Sequence, residues 1–141
     1  MRILWMMVAG ALGVLCRYGF TLAIQTWIGG RGARFALVLV LGATFPLATL
    51  LINVVGSFLL SFLTTLALQS SVRPDLRLIL GTGFLGAFTT FSTFEVEAEN
   101  LVVRGEWWAA FGYIGGNLIL GFLAVIAGRL LAMRYLGLTT A

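Results

Sequence analysis

Four long apolar stretches constrain this chain more than any other feature of its sequence. Each is about twenty residues long or longer, the length a helix needs to cross the hydrocarbon core of a bilayer. They are too long for barrel strands of about 10 residues, and they lack the alternation of such strands. With 60% of the 141 residues hydrophobic, a soluble globule is excluded. The sequence therefore predicts an all-α, multi-pass integral membrane protein.

The predicted spans form a single four-helix transmembrane domain that occupies the whole chain, residues 1–141. They cover residues 3–28, 46–68, 76–102 and 107–131. A polar, glycine-rich turn follows the first span, and the apolar run 35–41 after it is too short to cross a membrane. Pro46 suits the first turn of the second helix, because proline there forfeits no helical hydrogen bond.

The third span contains a stretch that is poorly suited to a continuous helix. Residues 81–94 read GTGFLGAFTTFSTF, in which glycines and adjacent threonines weaken the α-helix. Inside a bilayer, backbone groups freed by a break find no water to bond with. Freed carbonyls can then bind a cation, and nearby polar groups can face a pathway. We predict a third helix broken mid-membrane, near residues 86–90.

Polar residues recur at intervals of four on the second span, which places them on one helical face. They are Thr49, Asn53, Ser57 and Ser61. This face is expected to meet protein, where Asn53 acts either as a hydrogen-bonding link between helices or as an anion ligand that offers its amide hydrogens. Tyr113, Asn117 and Gly121 follow the same spacing on the fourth span.

The charged residues indicate anchoring and contact with the membrane lipid rather than binding of nucleic acid. All nine basic residues are arginines, dispersed along the chain and mostly at span ends. Arg17 lies within the first span, so it is expected either to face protein or a vestibule or to snorkel to the headgroups. Glu97 lies late in the third span, which fits a solvated rim or a proton relay. The connectors and termini predicted on one side of the membrane carry only slightly more arginines than those on the other side. This weak difference permits insertion in either orientation.

Three motifs make this sequence resemble the CrcB or Fluc family of small bacterial and archaeal fluoride channels. They are residues 10–18, 53–58 and 83–94, in that order along the chain. The resemblance covers nearly the whole chain. It implies an antiparallel, dual-topology homodimer of four-helix subunits that passively exports fluoride through two pores and thereby confers fluoride resistance. Such a protein is not an enzyme.

The resemblance also implies pore residues. Phe91 and Phe94 match the phenylalanines whose electropositive ring edges contact the ion, and Asn53 stands beside them. The further implied pore residues are Ser92, Thr93, Tyr113 and Asn117. This chain departs from the family pattern at Asn117, where a small hydroxyl residue is usual.

The same resemblance implies a structural sodium ion at the dimer interface. Its ligands are the backbone carbonyls of Gly86 and Thr89 from both subunits. Arg17 and Glu97 match family positions with vestibule or structural roles.

Two other functions fit the composition. A proton-coupled transporter of the small multidrug type is also a four-helix protein, but it needs a carboxylate deep in the membrane. The first, second and fourth spans contain no Asp or Glu. The other possibility is a structural subunit that holds a larger membrane complex together through its small-residue faces.

Overall fold

The protein is helical throughout the part of the chain that its computed structural model describes. The described residues are 1–29, 45–69 and 73–138, and every regular element within these ranges is a helix. The predicted all-α fold is therefore confirmed. The predicted turn beyond residue 29 and the short apolar run 35–41 lie outside the described residues.

The described residues form seven helical elements. Their bounds are α1 Arg2–Gly29, α2 Leu47–Gln69, α3 Pro74–Arg77, the π-helix π1 Leu78–Leu85, α4 Gly86–Phe88, α5 Phe91–Val103 and α6 Trp107–Tyr135. Among the described residues, three segments are long and apolar enough to cross a membrane, namely Arg2–Trp27, Leu47–Leu68 and Trp107–Tyr135. The third predicted span, 76–102, corresponds to two helical segments in the structure. They are the run 74–88, made of α3, π1 and α4, and the helix α5.

The helical run 74–88 and α5 are separated at Thr89 and Thr90. Both residues are extended, with φ/ψ of −76°/161° and −152°/112°. The preceding π1 is wider than an α-helix, since the Gly86 amide donates to the carbonyl of Gly81, five residues earlier. Glycines at both ends of this bond offer no side chain that resists the wider turn.

Glycines allow the helices to approach one another closely. At Gly13 of α1, a Cβ atom would collide with the Phe84 carbonyl of π1. At Gly128 of α6, a Cβ atom would collide with the Phe58 carbonyl of α2. Helices in a membrane associate through such packing, because lipid provides little hydrophobic drive between them. Accordingly, α1 packs mainly on π1 and α4, and α2 packs mainly on α6.

The buried core lies where α2, α5 and α6 meet. Its members are Leu50, Phe94, Ala98, Leu101, Ala110 and Tyr113. Many large side chains point outward instead, including the 66%-exposed Phe122 of α6. An apolar exterior around a small core is what a membrane-embedded helical protein presents to lipid.

The last helix ends at a glycine cap. It continues to Tyr135, about one turn beyond the predicted end near residue 131. Gly137 has a positive φ of 68°, and the Leu138 amide donates to the Met133 carbonyl at 3.0 Å. This is the pattern by which an αL glycine closes a helix, and it explains why the helix outlasts the apolar stretch.

Candidate functional site

Asn53, on the polar face of α2, contacts the interruption between α4 and α5. Asn53 accepts a hydrogen bond from the Thr90 amide at 3.0 Å through Oδ1. Its Nδ2 donates to the carbonyl of the same residue at 3.2 Å. Because one end of the amide must accept and the other must donate, these two bonds fix the orientation of the Asn53 side chain.

Asn53 is also linked to α6. Its Nδ2 donates to Oδ1 of Asn117 at 3.0 Å, and Nδ2 of Asn117 donates to the Tyr113 carbonyl at 3.0 Å. The two side-chain amides thus form a chain of hydrogen bonds from α6, across α2, to the backbone at Thr90. Both amide hydrogens of Asn53 have acceptors in this arrangement.

The same contacts release two backbone carbonyls from helical pairing. In a continuous helix the Thr90 amide would donate to the Gly86 carbonyl, but it donates to Asn53 instead. Likewise the Thr93 amide would pair with the Thr89 carbonyl, but it donates to Oγ1 of Thr90, the N-cap of α5, at 3.4 Å. The Thr90 and Thr93 amides are therefore not the helical partners of the Gly86 and Thr89 carbonyls.

A cavity of about 250 Å³, which we call the amide cavity, lies beside the interruption. Its lining residues are Asn53, Gly56, Ser57, Leu60, Thr89, Thr90, Phe91, Phe94, Asn117 and Leu118. The ring centroids of Phe91 and Phe94 are 5.6 Å apart, with their planes inclined at 53°. Phe94 is buried, whereas Phe91 is 66% exposed, so one aromatic wall of the cavity lies at the protomer surface.

A second cavity of about 320 Å³, which we call the charged cavity, lies between α1, α2 and α5. It is lined by Val14, Arg17, Tyr18, Thr21, Thr49, Ile52, Thr90, Thr93 and Glu97. Thr90 lines both cavities, so they are neighbours across the interrupted backbone.

Glu97 connects three helices at the charged cavity. Its Oε1 accepts from Thr49 of α2 at 3.1 Å, and its Oε2 accepts from the Tyr113 hydroxyl of α6 at 2.7 Å. The Tyr113 side chain is completely buried, so this carboxylate satisfies a hydroxyl that has no access to solvent.

The structure distributes the predicted site residues between the two cavities. The amide cavity receives Asn53, Phe91, Phe94, Asn117 and the sodium candidate Thr89. The charged cavity receives Arg17, Thr93 and Glu97. Tyr113, Ser92 and Gly86 line neither cavity: the tyrosine is buried, and the other two are exposed.

Sequence reasoning missed Thr90, which touches more of this site than any predicted residue. It pairs with Asn53, caps α5, lines both cavities and donates from its hydroxyl to Oγ1 of Thr93 at 2.8 Å. A threonine before a helix is a recognisable N-cap signal. That signal, combined with the predicted break, was sufficient to identify it.

Comparisons with known proteins place this chain among relatives that match along most of its length. Residues 4–129 match the family described as CrcB-like protein, Camphor Resistance (CrcB). A protein of Deinococcus radiodurans named fluoride-specific ion channel FluC is 42% identical over 93% of this chain and 94% of its own length. Proteins with the same name from Acidobacterium capsulatum and a Hydrogenobaculum species are 41% and 39% identical, over 95% and 93% of this chain and 98% and 97% of their own lengths. The chain belongs to the CrcB family.

Proposed function

We propose that this protein is a fluoride-selective channel of the cell membrane that exports fluoride passively. Its relatives are named fluoride-specific ion channels, and they match along nearly their whole length. The observation that carries the proposal is the amide cavity, where two phenylalanine rings and two side-chain amides converge beside an interrupted helix. A protein with this role is a channel and not an enzyme.

The amide cavity suits a small anion that binds water tightly. Fluoride must exchange its hydration shell for donors at short range, and an asparagine amide offers such donors. Phe91 and Phe94 contribute the positive edges of their rings. A narrow aromatic constriction also excludes the larger chloride, since selectivity in channels combines pore width with lining dipoles.

Further polar positions extend the path. Thr93 and the exposed Ser92 offer hydroxyls on the first turn of α5, and Tyr113 with Asn117 forms the polar face of α6. Arg17 and Glu97 in the charged cavity serve as vestibule residues. The arginine raises the local anion concentration, and the glutamate holds the surrounding helices in place.

The functional unit is an antiparallel homodimer of dual topology. Phe91 is 66% exposed on the protomer, and an aromatic ring that lines a pore requires an opposite wall. A second copy supplies that wall, and the weak arginine bias of the sequence is compatible with insertion in both orientations. The remaining apolar exterior faces lipid chains.

A sodium ion stabilises the dimer interface. The carbonyls of Gly86 and Thr89 lose their helical partners to Asn53 and Thr90, and Gly86 is exposed on the protomer. Carbonyl oxygens suit a hard cation, and two copies of the chain provide four of them. With the break at mid-membrane depth, the cation satisfies carbonyls that lipid cannot.

The test is ion efflux from proteoliposomes that contain the purified protein, with a potassium ionophore to dissipate the membrane potential. Fluoride and chloride are compared under equal outward gradients. We expect rapid loss of fluoride and negligible loss of chloride. Retention of fluoride by vesicles that contain correctly folded dimer contradicts the proposal.

A further inference from the structure

The side-chain oxygen of Asn117 accepts a hydrogen bond from Nδ2 of Asn53 at 3.0 Å. An anion bound in the amide cavity would need that same amide hydrogen. We propose that Asn117 sets the fluoride affinity of this chain, because its side-chain oxygen competes with the permeating anion for Asn53 and so lowers the apparent affinity of the cavity for fluoride. The inference rests on the proposed function and concerns a step within it.

The first support is that Asn53 is already oriented without Asn117. Its Oδ1 accepts from the Thr90 amide at 3.0 Å, and one Nδ2 hydrogen reaches the Thr90 carbonyl at 3.2 Å. A side-chain amide held at both ends in this way has no freedom to flip. The bond to Asn117 therefore consumes a donor and adds no orientation that the backbone has not already imposed.

The second support is that Asn117 presents its oxygen, and not its nitrogen, to Asn53. Nδ2 of Asn117 donates to the Tyr113 carbonyl at 3.0 Å, one turn earlier in α6. This bond directs the nitrogen along α6, and Oδ1 remains 3.0 Å from Nδ2 of Asn53. The reverse orientation would set two NH₂ groups against each other, so both partners favour the observed one.

The consequence for an anion follows from the count of donors and acceptors. Both hydrogens of Asn53 point at oxygens, and the oxygen of Asn117 adds a partial negative charge at the wall of the cavity. Fluoride has to displace that oxygen before it gains the Asn53 hydrogen. A shorter or apolar side chain at this position leaves the hydrogen free for the ion.

The experiment measures fluoride efflux against fluoride concentration for Asn117→Ala, Asn117→Ser and Asn117→Asp. We expect the Ala and Ser variants to lower the half-saturating fluoride concentration and to raise efflux at low fluoride roughly two- to tenfold, the range that corresponds to one hydrogen bond. The Asp variant is isosteric, but it is a stronger acceptor and carries a negative charge, so it should slow efflux.

Ser61→Ala is the matched control. The Ser61 hydroxyl donates to the Val125 carbonyl at 2.7 Å, so this change also removes a polar link between α2 and α6, but it lies outside the amide cavity. It should leave the half-saturating concentration unchanged. If Asn117 had only a structural role, its variants and Ser61→Ala would behave alike. Each would change the thermal stability and leave the affinity for fluoride unchanged.

The outcomes separate this inference from the proposed function. No fluoride efflux from the wild-type protein refutes the proposed function itself. Normal wild-type efflux combined with unchanged or weaker fluoride affinity in folded Asn117→Ala and Asn117→Ser refutes the competition alone. Efflux by Asn117→Asp at the wild-type rate also contradicts it, because that variant retains the acceptor and adds charge.

Discussion

The amide cavity and the charged cavity share Thr90 and border the same two helices, yet they differ in electrostatic character. The amide cavity has neutral side-chain amides and aromatic rings in its lining, whereas the charged cavity contains Arg17 and Glu97. Full charges act over several ångströms and gather ions from solution. Neutral dipoles and ring edges act only at contact, where they discriminate by size without holding the ion permanently.

Under the proposed function, this difference suits the amide cavity to selection and the charged cavity to the capture of ions. A channel requires binding favourable enough for the ion to enter and weak enough for it to leave. Neutral groups such as those that line the amide cavity suit that requirement, and a fixed charge nearby would offset the cost of dehydration. Changes in the amide cavity should therefore alter conduction itself, and changes in the charged cavity should alter stability or the supply of ions.

The largest expected effect is at Phe91. Phe91→Ile keeps an apolar side chain but removes the ring edge to which the proposed function assigns contact with fluoride, so fluoride efflux from proteoliposomes should be abolished. Phe122→Ile is the matched control, because Phe122 is also 66% exposed but lies on α6 outside both cavities. The dimer should remain intact in both variants. Normal efflux from correctly assembled Phe91→Ile would remove this residue from the pore.

The next largest effect is expected at Glu97, where two substitutions distinguish an effect on stability from an effect on transport. Glu97→Ala leaves the buried Tyr113 hydroxyl without its acceptor, which should cost about 1–3 kcal/mol of stability and lower the melting temperature in detergent. Glu97→Gln keeps an acceptor, and the Thr49 and Tyr113 hydroxyls can reorient around it.

Glu97→Gln also tests the proton-coupled alternative. A glutamine amide cannot take up and release protons as a carboxylate does. A proton-coupled transporter that relies on Glu97 would therefore lose all activity in this variant. The channel is expected to retain fluoride efflux close to the wild-type rate. Complete loss of transport in a folded, dimeric Glu97→Gln protein would favour the transporter.

A smaller effect is expected at Thr90, where the two cavities meet. Thr90→Val keeps the β-branched shape that suits the extended backbone but loses the N-cap, which costs about 1 kcal/mol. At the proposed sodium site, the Thr93 amide freed from its cap would compete with the cation for the Thr89 carbonyl.

The measurement is the rise in melting temperature when sodium replaces a large organic cation. The wild-type dimer should be stabilised by sodium, and Thr90→Val should lose most of that stabilisation. Thr26→Val is the control, since it removes a hydroxyl that donates to the Ala23 carbonyl within α1. Full stabilisation of Thr90→Val by sodium would exclude this coupling.

The sequence predicted the helices because membrane crossing depends on local hydropathy and length. Glycines and threonines in the stretch 81–94 pointed to an interrupted helix for the same local reason. The π-helix Leu78–Leu85 was not predictable, since hydropathy and propensity do not distinguish a wide helical turn from an ordinary one.

The bonding partners of Asn53 were not predictable either. The spacing on α2 indicated that this face meets protein, but the residues that meet it lie 37 and 64 positions further along the chain. Pairing over such separations depends on how the helices pack. The sequence therefore identified Asn53 and Asn117 as polar positions of interest and left open whether their amides bind each other or an ion.

The smallest expected effect is at Arg17. Its dependence on salt concentration distinguishes it from the effect of any change in the amide cavity. Arg17→Gln removes the positive charge from the charged cavity and should slow fluoride efflux about threefold at low ionic strength, where screening is weak. The deficit should vanish near 1 M salt, where charges are screened within about 3 Å. Arg129→Gln, a charge removed from the exposed face of α6, is the control. A deficit that persists at high salt would mean that Arg17 acts at contact range, so that selection extends into the charged cavity.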